Sequence, residues 1–152
     1  GCDVNQATID GATPAYVATE YGQTLALDLL VTGCDVNQAD EDGRTPAYIA
    51  VFNGHTAALD LLVKAGCDLN RAEKTGQTPV LIAAEEGHTA ALELLVKAGC
   101  DVNQSESDGA TPAFIAAEQG HTAALKILVE AGCDVNQADE DGATPAMVTA
   151  GM

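Results

Sequence analysis

The side chains of this 152-residue sequence best suited to chemistry are its cysteines, its histidines and one recurring aspartate. Cys2, Cys34, Cys67, Cys100 and Cys133 could pair as disulfides or gather round a zinc ion. His55, His88 and His121 could hold a metal, and Asp3, Asp35, Asp68, Asp101 and Asp134 could serve as general acids or bases. Asp40-Glu41-Asp42 and Asp139-Glu140-Asp141 resemble fragments of a calcium loop. Each chemistry sets a distance. A disulfide needs Cα atoms within ~4.4–6.8 Å, and zinc needs ligand nitrogens at ~2.0–2.1 Å. Acid–base work needs perturbed groups in one shared pocket. A calcium loop needs twelve-residue ligand spacing and a terminal bidentate Glu, which neither acidic run has.

The elements that must position these groups repeat along the chain. Gly-Cys-Asp-Val-Asn-Gln starts at Gly1, Gly33, Gly99 and Gly132, and Gly-Cys-Asp-Leu-Asn-Arg starts at Gly66. The steps are 32, 33, 33 and 33 residues. Thr-Pro recurs in step from Thr13 to Thr144, and Gly-His-Thr-Ala-Ala-Leu recurs at Gly54, Gly87 and Gly120. Three markers in one register identify an array of one unit. Within 33–65, Asp40-Glu41-Asp42-Gly43 reads as a turn. Thr45 is a good N-cap, and Pro46 takes the first helical position. A short helix runs to about Asn53, and Gly54 ends it. A second helix starts near Thr56, with Leu59, Leu62 and Val63 at helical spacing, and Gly66 closes it. Helices this short are marginal alone in water, so each unit must bury its apolar face against its neighbours.

Asp42-Gly43-Arg44-Thr45-Pro46, Ala50, Gly54-His55, Leu61-Leu62 and Gly66-Cys67-Asp68-Leu69-Asn70 together resemble the ankyrin repeat. The resemblance implies an all-α solenoid of about four and a half repeats, at 1–32, 33–65, 66–98, 99–131 and a partial 132–152. It implies stacked antiparallel helix pairs with β-hairpin-like finger loops, and protein binding through finger tips and inner helices. The family's usual Thr-Pro-Leu-His departs here to Tyr16, Tyr48, Leu81, Phe114 and Met147 at the His position. The hydrogen bonds of that His are expected to give way to apolar stacking. This column is expected in the inter-repeat core. The first repeat is one residue short near Thr32 and has Gln23 where later repeats have His. The last stops at Met152 after one helix, with apolar Met147 and Val148, which implies a segment of a longer array or end-to-end self-association.

The array answers the chemical questions. Equivalent residues of stacked units lie ~10 Å apart, much as packed helices do. The cysteines therefore neither bond nor share zinc, and are expected as half-buried fillers where the family usually has Ala. The histidine column is expected to cap the second helices, and the repeated aspartate to hold its loop. No phosphate-cradling loop and no nucleophile motif occurs. The expectation is a non-catalytic protein with no cofactor and no metal.

The formal net charge is −17, from 23 acidic and 6 basic residues. That field repels nucleic acid and anionic membranes. No apolar stretch is long enough to span a bilayer, and no secretory signal is visible. Five unpaired thiols favour a reducing intracellular setting, cytoplasmic or nuclear. With no Trp, three Tyr and two Phe, the core must come from aliphatic residues and Ala in thin layers.

Positions that differ between repeats are free to specify a partner. They fall at the finger tips, after the finger glycine and at the end of the first helix. The candidate partner-binding residues are Glu20, Tyr21, Asp42, Arg44, Phe52, Asn53, Lys74, Gln77, Glu85, Glu86, Ser107, Asp108, Glu118, Gln119, Glu140 and Asp141. Tyr21 and Phe52 are expected as exposed anchors, since aromatics are enriched among hot spots. Asp42, Glu85, Glu86, Glu118 and Asp141 suggest a protein or peptide of basic character. The rival reading is a structural spacer in a longer protein, or an idealised or engineered array with no natural ligand. Variable residues gathered on one face would favour binding, and scatter would favour the spacer.

Overall fold

The computed structural model describes residues 5–150, with side chains to Val148; Cys2 and Asp3 lie outside the described residues. Helices pair along the chain: α1 Pro14–Glu20 with α2 Thr24–Leu30, α3 Pro46–Phe52 with α4 Thr56–Lys64, α5 Pro79–Glu85 with α6 Thr89–Lys97, α7 Pro112–Glu118 with α8 Thr122–Glu130, then α9 Pro145–Ala150. No strand occurs among the described residues. The first helices pack in chain order as one layer, α1 to α3 to α5 to α7 to α9, and the second helices pack in order as another.

Local chemistry sets both ends of each helix. Thr13, Thr45 and Thr111 take extended φ/ψ, and their hydroxyls accept the N–H of Tyr16, Tyr48 and Phe114 at 3.2, 3.2 and 3.3 Å. The proline after each has no N–H to satisfy. Thr78 departs from this: its φ is −104°, and its hydroxyl is buried without a hydrogen-bond partner. Helices α3, α5 and α7 are apolar almost all round and buried almost all round, as a sandwiched helix must be. The second helices bury one stripe: Ala58, Leu59 and Leu62, then Ala91, Leu92 and Leu95. Val63, expected on that stripe, is only half-buried. Gly66, Gly99 and Gly132 close α4, α6 and α8 in the left-handed region, whereas Gly33 does not adopt positive φ. The missing residue near Thr32 shows here, since α2 spans 7 residues and α4 spans 9.

The recurring Asp-x-Asn is a ladder. Within each loop, Asp35, Asp68, Asp101 and Asp134 Oδ1 accept the N–H of the Asn two residues on, each at 2.9 Å. Between loops, Asn5, Asn37, Asn70 and Asn103 Oδ1 accept the N–H of the next unit's Asp at 2.7–2.8 Å. Carboxylates tied this way hold a loop.

Three expectations need correction. His55 and His121 sit at helix N-cap positions but their side chains do not cap. Their Nε2 atoms reach back to the Glu20 and Glu85 carbonyls at 3.1 and 2.9 Å, each in the preceding unit. The Tyr column is not purely apolar either. The Tyr16 hydroxyl donates to Asp40 Oδ2 at 2.8 Å and the Tyr48 hydroxyl to Gln77 Oε1 at 3.0 Å, while Leu81 and Phe114 stack as expected in the core. At the end of the column Met147 is exposed, because nothing packs beyond α9 among the described residues.

Candidate interaction face along the finger–helix elbow

Each finger is a tight turn closed by backbone pairing, as where Asp40 N–H donates to the Arg44 carbonyl at 3.1 Å. Successive tips are stitched together by backbone bonds from Glu41 to Asp10, Lys74 to Asp42 and Glu140 to Asp108, at 3.0, 3.0 and 2.9 Å. The fingers therefore form one edge beside the first helices. Two recesses open along the elbow between them.

The first, of about 320 Å³, is lined by Asp10, Tyr16, Glu20, Asp40, Asp42 and Arg44 among others. Asp40 organises it. Its Oδ1 accepts the N–H groups of Asp42 and Arg44 at 3.0 and 2.9 Å. Its Oδ2 accepts Tyr16 Oη, Arg44 Nε and Arg44 Nη2 at 2.8, 2.8 and 2.7 Å. Burial pushes this carboxyl up, but the Tyr16 hydroxyl and Arg44 outweigh it and hold it below its usual range. Burial, joined by the Asp40 bond, pushes the Tyr16 phenol far above its ordinary value.

The second, of about 300 Å³, is lined by Gln77, Glu85, Asp108, Phe114, Glu118, Gln119 and Asp141, with Glu106 and Asp139. Gln77 Nε2 donates to Glu85 Oε2 at 3.1 Å and to Glu106 Oε1 at 2.9 Å. Burial pushes Glu106 up; Gln77 opposes this, and the charges of Asp108, Glu85 and Glu73 reinforce it. Burial likewise takes the Tyr48 phenol to about 12.

The remaining candidates line neither recess. Tyr21 and Phe52 are 67% and 51% exposed, and the Phe52 ring stacks on Tyr48 at 6.3 Å and 9°. Asn53 Nδ2 donates to the Glu20 carbonyl at 3.4 Å, and Lys74 Nζ lies 3.7 Å from Asp42. Ser107 Oγ donates to the Thr75 carbonyl at 2.7 Å, while Glu86 and Glu140 are exposed. Arg44 and Gln77 are engaged with their own chain and so shape the elbow. Asp40, Glu106 and Asp139 also line the recesses, outside the positions that vary between repeats, and with Glu73 they form one column of acidic residues 33 apart. The signal was present: these carboxylates stand four residues before the variable position 44, 77, 110 and 143.

Among the described residues no group of three His, Cys, Asp or Glu could hold a metal ion, and no helix is long and apolar enough to cross a membrane. Cys34, Cys67, Cys100 and Cys133 are free and half-buried. Burial pushes the Cys67 and Cys100 thiols up to about 11. The thiolate is the reactive form, and a free thiol has a pKa of about 8.5. Iodoacetamide at pH 7.5 should therefore alkylate Cys67 and Cys100 at least about 100-fold more slowly in the folded chain than in urea. Mass spectrometry of timed samples reads this, and equal rates in the two states would contradict the burial.

The family model described as ankyrin repeats (3 copies) matches residues 1–73, 16–106 and 67–139. No curated protein matches the chain. The stacked helix pairs, the stitched fingers and this match over most of the sequence agree, and the chain belongs to the ankyrin-repeat family.

Proposed function

We propose that this chain is a non-catalytic scaffold that binds a segment of another protein along the finger–helix elbow. Ankyrin repeats are as a class protein–protein interaction modules. The observation that carries the reading here is the gathering of candidate residues from successive repeats: Glu20, Asp42 and Arg44 line one recess, and Gln77, Glu85, Asp108, Glu118, Gln119 and Asp141 line the next. A spacer needs no such face. Tyr21 and Phe52 are exposed and are the apolar anchors of this reading, and the acidic lining favours a basic partner. Free, half-buried thiols fit a reducing compartment.

The test is capture of partners by the intact chain at low and at high salt, followed by titration of a captured protein. Tyr21→Ala with Phe52→Ala should weaken binding at least about tenfold, roughly 1.4 kcal/mol. Raising salt toward 1 M should slow association, because the Debye length falls to ~3 Å. Affinity unmoved by both changes would remove this face from consideration.

A further inference from the structure

We infer that the elbow between the fourth and fifth fingers is a slot for one arginine side chain of a bound protein segment. The inference rests on the interaction reading above and names what one part of the face would recognise. Its ground is a comparison of the chain with itself. At the first elbow Asp40 Oδ2 receives Arg44 Nε and Nη2 at 2.8 and 2.7 Å, and Asp42 Oδ2 lies 3.2 Å from the same Nη2. This is a guanidinium cradle already occupied by the chain's own arginine. Three repeats on, in the same register, Asp139 replaces Asp40, Asp141 replaces Asp42 and Glu118 replaces Glu20. Asp139 is anchored the same way, its Oδ1 accepting the Ala143 N–H at 2.8 Å as Asp40 accepts that of Arg44 at 2.9 Å.

What differs is the occupant. Position 143 is Ala where position 44 is Arg, and Phe114 stands where Tyr16 supplies its hydroxyl. Asp139 therefore has neither of the donors that satisfy Asp40 Oδ2. Between the first elbow and the last, Gln77 sends its amide to Glu85 and Glu106. The recess that these residues share with Asp139 and Asp141, about 300 Å³, is lined by neither Lys nor Arg, whereas the one of about 320 Å³ at the first elbow has Arg44 in its wall. Arginine fits better than lysine because its planar fork meets a carboxylate through two donors at once, as Arg44 does.

The test uses the intact chain and three blocked tripeptides, acetyl-Gly-Xaa-Gly-amide with Xaa as Arg, Lys or Gln, read by 1H–15N NMR. The arginine peptide should shift Phe114 and 139–143 and saturate at a concentration at least about fivefold below the lysine peptide, with the glutamine peptide inert. Asp139→Asn risks the loop, so the deciding variant is Ala143→Arg. It refills the cradle, and should abolish the shifts while keeping the melting temperature at or above that of the parent. Arg44→Ala should open a second slot, seen as new shifts over 40–44. Equal response to arginine and lysine, shifts spread over all acidic surfaces, or shifts that survive Ala143→Arg each overturn the slot. A captured partner that tolerates Ala143→Arg, with no arginine-peptide shift, removes the slot and leaves the interaction reading standing. Slot shifts with no captured partner do the reverse.

Discussion

Leu92→Ala is expected to lower the unfolding free energy by about 3 kcal/mol, within the ~2–5 kcal/mol range for a fully buried leucine cut to alanine. Leu92 has no exposed surface, and α6 packs against α4, α5 and α8. The loss is larger here than its area alone suggests, because stability in an array is a sum of unit and interface terms. A hole in the third unit weakens both of its interfaces, so the two halves of the stack should begin to unfold separately. Urea denaturation followed by circular dichroism should show a lower midpoint and a broader transition with a smaller apparent m-value. Leu29→Ala is the control: Leu29 is 79% exposed on α2, and a surface change of this kind stays within ~0.5 kcal/mol. If the two variants melt alike, the second-helix stripe is not what holds the units together.

The parts of this molecule legible in the sequence are those each unit decides for itself. Thr45-Pro46 and Gly54 mark one helix of unit two, and the structure starts and stops α3 there, Pro46–Phe52. Thr56 and the turn before Gly66 bracket α4 equally well. What escaped is chemistry between units. A His before a helix is formally able to cap it, and only the spacing of stacked units reveals that His55 and His121 reach across to carbonyls 35 and 36 residues back. The Asn column likewise shows its purpose only when Asn37 meets Asp68 N–H from the adjacent loop. The same limit explains the candidate face. Variation between repeats marked the finger tips and helix ends, but it could not mark Asp40 or Asp139, whose constancy looked like turn chemistry. Their meaning lies in what faces them, Arg44 in one elbow and Ala143 in another.

The inter-unit interlock can be measured with one glycine. Gly87 and Gly120 occupy equivalent positions, both with positive φ, 65° and 73°. An alanine at either pays for left-handed backbone, about 1 kcal/mol or somewhat more, and gains the same small benefit from a stiffer unfolded chain. They part company in space. A Cβ at Gly87 would lie 2.8 Å from His121 Nδ1 and 3.0 Å from its Cγ, whereas at Gly120 nothing lies within 4 Å. The His121 ring cannot simply swing aside, because its Nε2 sits 2.9 Å from the Glu85 carbonyl. Gly87→Ala should therefore cost about 1 kcal/mol more than Gly120→Ala, the scale of one hydrogen bond lost or strained. In a His121→Ala background that excess should vanish, since the double-mutant cycle removes what the new methyl strikes. Equal costs at the two glycines, or an excess that persists without the imidazole, would mean that the ring resting on the preceding turn adds nothing to the joining of the repeats.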